Sequence, residues 1–374
     1  MNISRKPILL LVCCCIVLLT GCWDQKLLKD AKLVMASGFD VTKEGKLLGT
    51  IVIPVFSSSE GGAKIAESQV LSEEGDTTMD IEKELNLKIS GQYDASKMIV
   101  LLFGEDYAKQ DIQPGLDLFY RDPRNSLVDN AAVVKGRAND LLNIKLNEAG
   151  SMSAYLEGLF ESAQADSVIP RQTRPMYSDF SDPATDIILP LIEALKHEAK
   201  FIGLALFNGS KYTGKDLNIA ESTIYMLLAN ELNKNSEIKV KVSENEVPES
   251  KNYIYINVLN VKRKFKVIGQ DVNDISSHIH LDLKIEVLEY PDNYLDSAQK
   301  IRDLEKIISE KLTAEANIVI KKLQEANSDS LSVGRRLFAF YHTTWEQINW
   351  SETYPSIDFD AKVNTKIIKH GVFD

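Results

Sequence analysis

The chain has 374 residues, 44% of them hydrophobic and 26% charged, and a net charge of −11. That balance is globular and excludes a disordered or low-complexity chain. The acidic body argues against nucleic-acid binding, and its net charge gives no general attraction to anionic lipid.

The first residues read as an export signal. Arg5 and Lys6 precede the apolar run Ile8–Leu19, which is shorter than the roughly 20 residues that span a membrane. The exit, Leu19-Thr20-Gly21-Cys22, fits a lipobox: an aliphatic residue, two small residues, then the cysteine. This predicts cleavage of residues 1–21 and lipidation of Cys22. The cysteine count agrees. Of four cysteines, Cys13, Cys14 and Cys15 leave with the signal, so the mature chain keeps Cys22 alone, with no disulfide partner and no thiolate metal site. Two acyl chains hold stably where one holds marginally, since each buried methylene contributes about 0.8 kcal/mol.

Along the mature chain, residues 31–39 read as a strand, and Lys43-Glu44-Gly45-Lys46 as a hairpin turn into a strand over 47–55. Residues 57–78, rich in Ser, Gly and Glu, read as a loop. Thr78 or Asp80 is a candidate cap for a helix over 81–89. Residues 97–103 and 126–135 read as strands, with short helices over 105–111, 114–120 and 138–142, then a longer one over 151–164. Pro170, Pro175, Pro183 and Pro190 mark residues 165–190 as a wrapping loop or linker. Asn208-Gly209 is a strong hairpin signal between strands over 202–207 and 211–213, and a helix over 218–232 follows.

From about residue 236 a second pattern begins. Strands are predicted over 238–242, 253–267 and 277–289. The last alternates Ile279, Leu281, Leu283, Ile285 and Val287 with polar residues, as a half-buried antiparallel strand does. Ile301, Leu304, Ile308, Leu312, Ala316, Val319 and Leu323 form one stripe of a helix over 295–324. A second helix over 329–347 and a strand over 357–368 close the chain. The fold class expected is α+β, multi-domain, with a C-terminal antiparallel sheet packed by a long helix and a second helix. The units are 22–165, an N-terminal α/β domain; 166–235, a linker plus middle segment with strands 202–213 and helix 218–232; and 236–374, the C-terminal domain.

Few residues suggest chemistry. There is no phosphate loop, nucleophile elbow or zinc-helix motif. His278, His280 and Asp282 share a strand face, but without a fourth ligand they read as a solvated face. Ser57-Ser58-Ser59 has no local histidine and reads as loop composition. Lys262-Arg263-Lys264 with Lys266 suits phospholipid headgroups or an acidic partner on one reading, and the lysine-protected edge of a strand on the other. Trp345, Trp350 and Tyr354 read as packing of the last helix. No catalytic residue, metal or cofactor is expected.

Gly21-Cys22-Trp23-Asp24, the strand ending Ala36-Ser37-Gly38-Phe39-Asp40, Arg121-Asp122-Pro123, Val134-Lys135-Gly136-Arg137-Ala138, Gly203–Phe207 with the turn Asn208–Gly214, and Leu337–Gly371 occur in the order of a known family. In these the chain resembles the Ger(x)C lipoproteins, the C subunits of spore germinant receptors in Bacillus and its relatives. The resemblance implies three mixed α/β domains and a non-catalytic role in starting germination. It also implies integral membrane A and B subunits as partners, and lipid attachment through Cys22 at the outer face of the spore inner membrane. The alternative is a solute-binding lipoprotein of an ABC transporter. Alternating strands and one-sided helices after residue 236 speak against its parallel lobes.

Overall fold

The structure is a computed structural model that describes residues 31–59, 62–121, 130–147, 150–170, 180, 182–232, 236–291, 295 and 297–370. Strands β1 (Ala31–Leu33) and β2 (Ala36–Val41) come first, then the hairpin β3 (Leu47–Ser59) and β4 (Gly62–Gly75). Next are α1 (Thr78–Asn86), β5 (Gln92–Asp94), β6 (Val100–Gly104), α2 (Glu105–Ala108), α3 (Gln113–Arg121), β7 (Asn130–Lys135), α4 (Ala138–Leu142) and α5 (Met152–Ala165). Strands β8 (Ile188–Ala194), β9 (Ala199–Asn208) and β10 (Lys211–Asn218) lead into α6 (Ile219–Ala229). The remainder is β11 (Glu237–Lys241), β12 (Tyr253–Ile268), β13 (Ser276–Glu289), α7 (Ala298–Glu325), α8 (Val333–Phe340), α9 (His342–Trp345), α10 (Trp350–Thr353) and β14 (Asp358–Lys369).

An eight-stranded sheet runs β10-β9-β8-β7-β6-β2-β3-β4. Its four central strands, β8, β7, β6 and β2, are parallel to one another, and antiparallel hairpins flank them. The unalternated apolar runs of β6 and β7 suit that position, because a strand covered on both faces needs no polar side. The sheet continues without a break across residues 165 and 166, since β8, β9 and β10 extend the order begun by β2. Pro190 sits in β8 just before the pairing with β7 starts at Leu191, so its missing N–H removes no bond to β7.

A buried carboxylate ties the sheet to the start of α4. Asp40 of β2 is buried and accepts the N–H groups of Ala138 and Asn139, each at 2.8 Å, at the start of α4. Space for this contact comes from small neighbours. A Cβ on Gly104 would lie 1.9 Å from Asp40 Oδ1, and one on Gly38 would lie 2.8 Å from Ala138 Cβ. Burial pushes the Asp40 carboxyl up, and the two N–H groups oppose that. The segments Ala36–Asp40 and Val134–Ala138, far apart in sequence, thus meet at one cap.

The C-terminal sheet runs β11-β12-β13-β14, with its inner face against α7. The predicted stripe of α7 is the buried one: Leu304, Ile308, Leu312, Ala316, Val319 and Leu323. β11, β12 and β13 are antiparallel, but β14 is parallel to β13. Alternation alone gives no strand direction. The 28-residue α7 returns the chain along the length of the sheet, so β14 enters in the same sense as β13.

Other departures have local causes. The strand expected over 31–39 breaks at Val34–Met35, where hydrogen bonding passes from Asp94 to Val52. Most of the loop expected over 57–78 is instead strand β4. As the outer strand of the large sheet it needs few bulky residues, so its composition resembled a loop. The single helix expected over 329–347 divides at Tyr341, whose φ of −137° is not helical. Residues 126–129 of the strand expected over 126–135, and residues 171–179 of the expected linker, lie outside the described residues.

Helix α6 joins the two sheets. Residues Ser222 to Leu228 are all buried, so no face of this segment meets solvent. Asn218 and Glu221 form a reciprocal capping box at its start, and Asn230 takes the left-handed conformation at its end. Its inward hydroxyls are satisfied within the helix: Ser222 donates to the Asn218 carbonyl at 2.8 Å and Thr223 to that of Ile219 at 3.2 Å. One apolar core runs from Ala36 and Leu102 through Met226 and Leu228 to Leu281 and Leu323. Leu228→Ala is expected to lower stability by about 2–5 kcal/mol, and Asp40→Ala by about 1–3 kcal/mol. Urea unfolding of each purified variant checks both, with one shared transition expected from probes in either sheet.

Candidate functional site

The densest buried polar constellation lies where the two sheets meet. Asp186, just before β8, accepts the Gly209 N–H at 2.6 Å and the Asp329 N–H at 2.7 Å. Asp329, just before α8, returns the contact: its carbonyl accepts the Asp186 N–H at 3.2 Å and the Thr185 hydroxyl at 3.3 Å. The Asp329 carboxylate accepts the Val333 and Gly334 N–H groups at 2.8 and 2.7 Å, and the Trp350 indole N–H at 3.0 Å. Asn208 donates across the junction to the Asn327 carbonyl at 2.6 Å. Nearby, Arg335 pairs with Asp182 at 2.6 Å. Glycine is required at position 334, where a Cβ would meet the Trp350 ring at 2.5 Å.

These contacts give several sequence features a place. The turn Asn208-Gly209 is both a hairpin and half of the junction. Trp345, Trp350 and Tyr354 form an aromatic row with ring centroids 5.7 and 5.6 Å apart, and Trp350 and Tyr354 are buried. They pack and orient; the row is not a free contact surface. Asp329 and Asp186 carried no signal in the sequence, because an isolated aspartate in a polar stretch reads as a turn residue. The short spacing from Asp329 to Gly334, ahead of an apolar helix, was the one local hint.

Asp329 stands between opposed effects. Burial disfavours its charge, neighbouring Asp186 adds to that, and three N–H donors favour it. The balance leaves the carboxyl pushed up to about 8, and burial raises Asp186 as well.

Elsewhere the candidate residues are engaged. His278 Nδ1 pairs with Asp360, while His280 Nε2 lies 3.2 Å from Asp282, which also accepts from Asn364 at 3.1 Å. Asn364 and His280 hold the Asp282 carboxyl below its ordinary range. Each histidine therefore has its own carboxylate, and among the described residues no group of three His, Cys, Asp or Glu is placed to hold a metal. Ser57, Ser58 and Ser59 belong to strand β3. Cys22 lies outside the described residues. A groove of about 1090 Å³ opens between α1 and α3, walled by Val41, Leu47, Met79 and Leu118. Two carboxylates of its rim are engaged: Asp117 with Arg121 at 2.6 Å and Asp111 with the Ser210 hydroxyl at 2.6 Å. Among the described residues no helix is long and apolar enough to cross a membrane.

The two-part architecture matches two family models. Residues 24–194 match the spore germination protein N-terminal domain, and residues 202–371 match the spore germination B3/GerAC-like C-terminal domain. The boundary between them falls in the β8–β9 hairpin. Together the matches define a spore germination protein. Spore germination protein GerQC of Bacillus cereus is 25% identical over 359 residues, covering 95% of this chain and 96% of the relative. Spore germination protein YndF of Bacillus subtilis is 24% identical, covering 98% and 96%. The crystal structure of the GerBC protein superposes with a TM-score of 0.58 at 18% identity, covering 91% of this chain and 99% of that one, so the fold is shared. The chain belongs to the spore germinant-receptor C-subunit family.

The junction carboxyl sets a pH dependence. The folded state holds the Asp329 proton to higher pH than the unfolded chain does. Its contribution to stability is therefore complete below the ordinary carboxylate range and is lost as pH rises through about 8. The urea midpoint is expected to fall between about pH 4 and about pH 8. Asp329→Asn should flatten that slope while lowering stability throughout, because it replaces one acceptor oxygen with a donor. An unchanged slope in the variant would assign the dependence to other groups.

Proposed function

We propose that this protein is the lipid-anchored C subunit of a nutrient germinant receptor. It is non-catalytic and acts with integral membrane A and B subunits at the outer face of the spore inner membrane. One observation carries the reading: a lipobox ending at Cys22 stands immediately before a family match that begins at residue 24. The signal supplies export, the cysteine supplies the membrane hold, and the family supplies the process. The packing supports a non-catalytic role, since the buried carboxylates described above are spent on backbone N–H groups and the histidines on carboxylates. In this reading residues 22–165, 166–235 and 236–374 are successive units. The middle one, which supplies β8–β10 and α6, couples the outer two.

Replacing Cys22 with Ala in a sporulating host tests the anchor. The variant is expected to leave the spore membrane fraction, and the nutrient response is expected to fall with it while germination by non-nutrient agents is kept. Normal retention in the membrane would sink the lipid-anchor reading. Lost retention with a normal nutrient response would make the tether dispensable for the receptor.

A further inference from the structure

The C-terminal sheet covers only one face with helices. On the open face, cross-strand register sets side chains in rows: Lys266–His278–Asp360, Lys264–His280–Lys362, Lys262–Asp282–Asn364 and Asn260–Lys284–Lys366. All six lysines are exposed. With two aspartates among them the block carries +4, on a chain whose total is −11. Both aspartates are engaged by the histidines and Asn364, as described above. Among the described residues, none of the six lysines has a carboxylate within ion-pair distance. Of the two adjoining rows, one holds Asn257 and Glu286, with Glu286 paired to Lys369 at 3.9 Å, and the other holds Ile268, Ser276 and Asp358.

Protection of a sheet edge explains part of this block. Among the described residues no strand pairs with the outer side of β12 beyond Asn257, and lysines at 262, 264 and 266 discourage another strand from adding there. It does not explain Lys284, which lies on an inner strand directly opposite Lys366. Like charges in that relation destabilise a sheet. Their retention calls for negative charge from outside the molecule.

The character of the face selects the source. The cores of protein–protein interfaces are poor in lysine and rich in aromatic residues and arginine. The four rows contain neither. They offer a sheet surface of flexible point charges, suited to a diffuse anionic plane. We infer that the open lysine face of the C-terminal sheet seats this protein against an anionic phospholipid bilayer. The inference deepens the proposed membrane role by naming the surface that lies on the lipid, and it rests on that reading for biological context only.

The test uses the chain from residue 22 onward with Cys22→Ser, so that no acyl group is present. The apolar cores described above all lie within residues 31–370. Flotation is compared on vesicles of phosphatidylcholine with and without phosphatidylglycerol. Binding is expected on the anionic vesicles alone and is expected to be abolished by high salt. Binding should weaken about fivefold for each of Lys264→Gln, Lys284→Gln, Lys362→Gln and Lys366→Gln as they are combined. A control with four exposed lysines changed elsewhere (Lys43, Lys46, Lys196 and Lys200, each to Gln) should bind like the parent. No flotation of the parent, or equal loss in the control, would overturn the inference. Absent flotation together with impaired germination of spores carrying the four sheet-face changes would also overturn it, assigning the face to an acidic protein partner. Because no lipid is attached, failure of the Cys22 reading would leave this outcome unaltered.

Discussion

A helical segment buried on every side must be matched by packed surface all the way round, and Ser222–Leu228 of α6 imposes that constraint on everything near it. One flank is met by the large sheet and another by α7 and the strands that α7 covers. Neither sheet can shift against α6 without opening a void, and voids in a close-packed interior are costly. The serine and threonine hydroxyls in its buried stretch fold back onto carbonyls at Asn218 and Ile219. Tyr225 sends its hydroxyl to the Ser330 carbonyl at 3.1 Å, toward the segment that carries Asp329. The helix therefore fixes where the polar junction forms as well as where the core lies.

Buried carboxylates then serve as joints. Asp40, Asp186 and Asp329 each accept backbone N–H groups from segments distant in sequence or from the start of a helix. A carboxylate suits this role because its two oxygens accept several bonds at once and helix starts present unpaired N–H groups. Burial opposes the charge in all three, so each joint balances desolvation against donors. Desolvation outweighs the donors most at Asp329, which also has another carboxyl beside it.

Long periodic elements were legible in the sequence. The stripe of α7, the alternation of β13 and the Asn208-Gly209 turn appear as read, because periodicity and turn chemistry are local. The edge strand β4 was not, since a strand with one free edge and little core to cover has the composition of a loop. The direction of β14 was not, since side-chain alternation is blind to chain sense. The joints were least legible of all: Asp40 meets Ala138 and Asp186 meets Asp329 only in the folded chain. The blocks behind the family resemblance include both sides of the Asp40 cap and the Asn208–Gly209 side of the junction. Short motifs of modest appearance thus marked places where tertiary contacts are made.

A continuous core also decides how this molecule can pass on a disturbance. Modules that touch through small polar patches flex at their seams, whereas modules sharing a hydrophobic interior move together. Here the seam is filled by α6 and clamped by paired aspartates, so the described residues form no soft hinge between the sheets. A push delivered at one end would travel as a tilt of the whole body, much as a stiff lever turns about its support. Whatever rearrangement accompanies germination would then fall at the outer boundaries of the molecule.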